Sequence, residues 1–130
     1  MAIQFLSRAL VERLHLRQIE RFGGAYGLRD EGALESALML AVNKVAYGST
    51  DLIELAVAYL YGLAMNHAFI DGNKRIAIVS AGVFLMDNGY AIDTDDATLY
   101  QFVLSVAAGE IDEDGAARFL RDHTVPNPEI

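Results

Sequence analysis

Nine consecutive residues, His67-Ala68-Phe69-Ile70-Asp71-Gly72-Asn73-Lys74-Arg75, set a proton acceptor, a carboxylate, a glycine turn and two cations directly ahead of an apolar run. Histidine is the side chain that most readily accepts a proton near neutral pH, so His67 is suited to deprotonate an incoming hydroxyl. Gly72 lacks a Cβ and lets backbone approach a phosphate closely. Lys74 and Arg75 supply positive charge beside it, the arginine as a bidentate clamp and the lysine as a mobile point charge. Asp71 has the wrong sign for binding an anion alone. A carboxylate is, however, the usual protein ligand of Mg²⁺, which bridges it to substrate phosphates. The set therefore suits a magnesium-bound nucleoside triphosphate and in-line phosphoryl or nucleotidyl transfer, chemistry that depends mainly on positioning and charge stabilisation. Phe69, alternating with the polar positions, is the expected anchor of the loop in the core.

These residues need a helix to aim them. Ile76, Ala77, Ile78, Val79, Ala81, Val83, Phe84, Leu85 and Met86 form an apolar run that stops at Asn88-Gly89, so a helix is expected from near Asn73. Its first amide groups have no partner inside the helix and carry the positive end of the dipole, a natural anion site. Taken singly, Asp71 reads as a helix cap, Gly72 and Asn73 as turn residues, and His67 as a hydrogen-bonded loop or core histidine. None of these separate readings accounts for two cations beside a carboxylate.

The remaining pattern is helical. Ser7 is placed to cap a first helix carrying Leu10, Val11, Leu14 and Ile19 and ending at Gly23-Gly24; Asp30 caps a second with Leu34, Ala37, Leu38 and Ala41. Thr50 and Asp51 open a third that runs to about Asn66. It is apolar on nearly every side, which puts it at the centre of the fold. The acidic run at 93–96 favours the start of a fifth helix with Leu99, Phe102, Val103 and Val106, and the run at 110–114 opens a last one with Ala117, Phe119 and Leu120. Both runs read as capping and solubility features. Pro126 and Pro128 mark residues 124–130 as a frayed tail. The expectation is an all-α bundle of about six helices in one domain, residues 1–130, with two central apolar helices flanking the motif loop. His15 is expected on a helix near the core and His123 at the surface; Tyr59, Tyr61, Phe84 and Phe102 are expected in the core.

At 130 residues the chain is long enough to bury roughly two-thirds of the surface its unfolded form exposes. It has no cysteine, which removes disulfides and cysteine-ligated zinc from consideration. No basic segment precedes a long apolar run at the N-terminus, so the cytoplasm is the expected location. The longest apolar stretch, residues 52–64, contains Glu54 and falls short of the ~20 residues of a membrane span. A net charge of −8 argues against general nucleic-acid binding and favours a basic partner segment.

The motif resembles that of the Fic/Doc family, His-x-Phe-x-(Asp/Glu)-Gly-Asn-Gly-Arg-x-x-Arg. It matches through Asn73 and then departs, with Lys74 for the second glycine and Ile78 for the second arginine. The Asn-Lys-Arg ending is similar to the Doc (death on curing) branch of toxin–antitoxin toxins. So are Arg21-Phe22-Gly23-Gly24, Gly27-Leu28-Arg29-Asp30, Val45-Ala46-Tyr47 and the overall length, so the likeness covers nearly the whole chain. It implies a Fic-like fold and a kinase that moves the γ-phosphate of Mg·ATP to a serine or threonine of a translation protein such as elongation factor Tu. By the same likeness His67 is the general base, Asp71 the Mg²⁺ ligand, and Gly72, Asn73, Lys74 and Arg75 the phosphate site. It also implies a target-positioning flap, for which residues 43–50 with Lys44 and Tyr47 are the candidate. A separate Phd-like antitoxin, a disordered segment that folds on binding, is implied as the restraint. No internal inhibitory Ser/Thr-x-x-x-Glu-(Gly/Asn) segment is visible. Two alternatives stand beside this. Gly72 matches the wider family, which transfers AMP, whereas the Doc pattern has alanine there; and a protein that binds phosphate without turnover would use the same anion site.

Overall fold

The computed structural model describes residues 2–127. Six helices follow in order: α1 (Arg8–Phe22), α2 (Glu31–Ala46), α3 (Leu52–Met65), α4 (Asn73–Asp87), α5 (Asp96–Ala107) and α6 (Glu113–His123). The all-α Fic-like expectation is met. The helix starts are written in the sequence: Ser7 accepts from the Leu10 N–H, Asp30 from Ala33, Asp51 from Ile53, Asp95 from Thr98 and Asp112 from Gly115. Each bond satisfies one of the amides that a helix leaves unpaired at its first turn.

α3 is the centre. Ten of its 14 residues are buried, because it packs against α2 on one side and α4 on the other, with α5 and α6 closing over it. Gly62 permits the close α2 crossing: a Cβ there would come within 3.0 Å of the Ala37 carbonyl oxygen. Tyr59, fully buried against Phe84, keeps its hydroxyl paired by accepting from the Leu6 N–H at 3.1 Å. Burial raises the Tyr59 pKa, and that hydrogen bond works against the rise. Phe102 joins the same core, whereas Tyr61 is half-buried, its hydroxyl donating to the Ile111 carbonyl.

Two short strands were not foreseen. β1 (Tyr90–Ile92) pairs antiparallel with β2 (Thr124–Pro126), in the register Tyr90 to Pro126, Ala91 to Val125 and Ile92 to Thr124. The expected fraying of residues 124–130 is therefore wrong for Thr124–Pro126. Pro126 does not prevent pairing, because an edge strand tolerates a residue without an N–H. The Asn127 N–H extends the attachment to the Gly89 carbonyl at 2.9 Å; residues 128–130 lie outside the described residues. His123 is half-buried rather than exposed, stacked on Phe119 with its Nδ1 2.7 Å from the Phe119 carbonyl oxygen. Among the described residues no helix is long and apolar enough to cross a membrane.

Candidate active site

The motif residues form the link between α3 and α4, and hydrogen bonds tie the backbone of Ala68, Phe69, Ile70, Asp71 and Gly72 to its surroundings. The Ala68 carbonyl accepts from the Arg29 and Asp30 amides at 2.8 and 3.0 Å, and the Ile70 N–H donates to the Gly27 carbonyl at 3.0 Å. Leu28 and Phe69 form an isolated antiparallel bridge. Asn73 staples the loop from the helix side: its Oδ1 accepts from the Phe69 N–H at 3.0 Å while its Nδ2 donates to the Phe69 carbonyl at 2.9 Å. Both ends of the Asn73 side-chain amide are therefore occupied, which leaves its backbone for the expected phosphate cradle. Phe69 is buried, as expected of an anchor.

This bracing turns the polar side chains outward. His67 is exposed and has φ +50°, the positive-φ non-glycine position among the described residues. Such a conformation costs about 1 kcal/mol or more, and it persists where the surroundings dictate it. Here the buried Ala68 and Phe69 follow at once and leave the imidazole on the solvent side. Asp71 and Lys74 are exposed as well, and Arg75 is half-buried. The Arg75 guanidinium lies 4.3 Å from the centre of the Phe22 ring, and Arg21 approaches the same ring at 5.2 Å. Phe22 at the end of α1 therefore steers Arg75, a cation–π role that the sequence did not reveal.

Asp71 is not the helix cap; Gly72 occupies that position, in the left-handed region with φ +75°, and no side chain caps α4. The Asp71 carboxylate faces backbone donors instead. Its Oδ1 accepts from the Gly72 N–H at 2.9 Å and its Oδ2 from the Ala25 N–H at 3.3 Å. Gly24, with φ +112°, makes that approach possible, since a Cβ would stand 2.8 Å from Asp71 Oδ2. An exposed carboxylate whose oxygens each hold a single N–H keeps lone pairs for a hard cation, so Asp71 fits the demands of Mg²⁺. Among the described residues no group of three or more histidines and carboxylates could hold a metal by itself.

Lys44 and Tyr47 do not join this site. The N-terminal end of α2 is tied to the motif loop through Asp30, and Tyr47 lies at the other end of a 16-residue helix, roughly 24 Å away along its axis. The segment that does lie along the motif is 23–30, whose Ala25, Gly27, Leu28, Arg29 and Asp30 all contact it. Its glycines and its place between two helices were visible in the sequence, but not its pairing partner about 40 residues on. Ile78, where the wider family has an arginine, is buried in the core.

His15, expected on a helix near the core, also reaches the motif. It is fully buried, its Nε2 stands 2.7 Å from the Asp71 carbonyl oxygen, and its ring stacks on Phe69 at 3.8 Å. The available signal was its place midway between Val11 and Ile19, four residues from each on the buried face of α1.

Comparison with known proteins agrees with the geometry. The Fic/DOC family model matches residues 5–85. The chain is 38% identical over 109 residues to a protein named Protein kinase doc from Escherichia phage P1, covering 83% of this chain and 86% of that one. It is 39% identical over 104 residues to Toxin Doc of Mycolicibacterium smegmatis, covering 76% and 79%. An exposed His67, a braced Asp71-Gly72 turn and an uncapped helix start, on a chain matched by these relatives over most of its length, make it a Doc-like member of the Fic/DOC family.

Proposed function

We propose that this protein is a toxin of a toxin–antitoxin module that transfers the γ-phosphate of ATP to a serine or threonine hydroxyl of a translation protein such as elongation factor Tu. The observation that carries the reading is the start of α4. It lacks a side-chain cap, begins at a left-handed glycine and carries Lys74 and Arg75 in its first turn. Backbone amides, the helix dipole and two cations are brought together there, the arrangement that binds a phosphate.

In this mechanism His67 takes the proton from the acceptor hydroxyl as the hydroxyl oxygen bonds to the γ-phosphorus. The bond from that phosphorus to the β–γ bridging oxygen breaks, and ADP leaves with the electron pair. Lys74, Arg75 and the first amides of α4 stabilise the charge on the phosphoryl oxygens. Mg²⁺ bound with the nucleotide would be held by Asp71 and would neutralise phosphate charge. Segment 23–30, rather than 43–50, is the flap that aligns the target chain, since it already runs beside the motif and pairs with it through Leu28 and Phe69. The relatives' names support a toxin and a kinase. A cognate antitoxin follows, and we assign it as a Phd-like disordered segment that folds on binding. The apolar groove lined by Ile78, Val79, Val83, Met86 and Ile92 is a surface of the kind such a segment covers.

Lysate incubated separately with γ-labelled and α-labelled ATP tests the reaction. Label from the γ position alone, reduced about 10²-fold or more in His67→Ala, is the expected result. Incorporation of α-label would establish AMP transfer, the second reading, which Gly72 favours because it matches the wider family pattern. Mg·ATP binding with neither label incorporated would favour a non-catalytic phosphate-binding protein.

A further inference from the structure

We infer that His15 is a positioning residue that fixes the orientation of the Asp71–Gly72 peptide and so keeps the Gly72 N–H turned toward the nucleotide; the inference rests on the phosphate-binding reading of the α4 start. A carbonyl oxygen only accepts, so the 2.7 Å contact requires the His15 Nε2 to carry the proton and donate. The ring is closely enclosed. It is fully buried, stacked on Phe69 with planes 14° apart, and its Nδ1 is buried without a hydrogen-bond partner. A buried polar atom left unpartnered has a cost. Here that cost accompanies the donation from the other nitrogen.

The consequence follows from the trans peptide, in which C=O and N–H point in opposite directions. With the Asp71 carbonyl held inward on His15, the Gly72 N–H points outward, where it now meets Asp71 Oδ1. A glycine at φ +75° is where this peptide could turn over at low cost. The turned form would bury the N–H against the imidazole and present a carbonyl oxygen to an incoming phosphate, inverting the sign of the site. His15 blocks that form, and it also walls the turn: a Cβ on Gly72 would lie 3.6 Å from His15 Nε2.

Three variants separate donation from packing. His15→Phe keeps a stacking ring without a donor, His15→Gln keeps a donor without the ring, and His15→Leu keeps neither. In His15→Phe, amide exchange at residues 72–75 of the nucleotide-free protein should accelerate, and Mg·ATP should bind about tenfold to a hundredfold more weakly. His15→Gln should regain most of the affinity even where its thermal midpoint is the lower of the two, and His15→Leu should resemble His15→Phe in binding. Equal affinity and exchange in wild type and His15→Phe would overturn the inference. So would affinities that simply follow thermal stability across the three. Should the variants not fold, nitrogen NMR of the wild-type imidazole decides: a proton on Nε2 supports the assignment, and a proton on Nδ1 with Nε2 bare refutes it. If wild type binds no Mg·ATP, the functional reading fails on its own, while exchange and tautomer still judge His15.

Discussion

The starts of α3 and α4 belong to the two central helices, and they solve the same physical problem in opposite ways. At α3 the Asp51 side chain accepts from the Ile53 N–H at 2.9 Å and from Arg121 at 2.8 Å, so the first turn, the carboxylate and the guanidinium satisfy one another. At α4 no side chain reaches the first turn, the carboxylate is drawn to Gly72 and Ala25, and the cations are left with Lys74 exposed and Arg75 against a ring. One helix start is capped by a side chain of the protein itself; the other has no side-chain cap. The candidate site differs from the structural helix start in which hydrogen-bonding capacity the side chains leave unused, not in the residue types it employs.

The largest difference should come from Phe69, the residue that anchors the open end. Phe69→Ala removes a buried ring stacked on His15 and should cost about 3 to 5 kcal/mol by thermal or urea unfolding, with loss of nucleotide binding. Asn73→Ala deletes both bonds to the Phe69 backbone and should cost about 1 to 3 kcal/mol. Its kcat should fall further than its stability does, which a labelling assay at a temperature well below the melting point will read. At the closed end Asp51→Ala should cost about 1 kcal/mol, the worth of a cap, and leave Mg·ATP affinity unchanged.

The Asp51 effect should also depend on pH. Burial opposes ionisation of this carboxyl, but hydrogen bonds from Arg121 and the Ile53 N–H outweigh it and hold the pKa below the ordinary 3.8. A folded-state pKa lowered in this way contributes stability that is complete above the unfolded value and is lost as pH falls through the folded value. Wild type and Asp51→Ala should therefore differ in unfolding free energy at pH 6 and converge as pH falls below the folded-state value. Arg121→Ala should have the smallest effect, under about 1 kcal/mol and diminished by salt, because the pair is largely solvent-exposed.

How far the chain could be read from sequence follows from the range of each interaction. Ser7, Asp30 and Asp51 were identifiable as caps because capping acts over two or three residues, and α3 was identifiable as central because every face of it is apolar. The acidic runs hid which carboxylate caps, and structure selects Asp95 and Asp112. Three-residue strands show no periodicity, so the pairing of Tyr90–Ile92 with Thr124–Pro126 left no local trace. In the site, His67, Asp71, Lys74 and Arg75 were recognisable as one cluster from their spacing. His15 reaches Asp71 across 56 residues and segment 23–30 reaches the motif across about 40; the motif itself encodes neither contact. Residues 43–50 drew attention for their local composition, yet the length of α2 carries them away.

Amide NMR during a Mg·ATP titration reads both helix starts in a single experiment. Shifts concentrated at Gly72, Asn73, Lys74 and Arg75, with Ile53, Glu54 and Leu55 unmoved, are the expected result. Shifts centred on the start of α3, or saturation without movement at Gly72 to Arg75, would contradict the assignment of the open helix start as the nucleotide site.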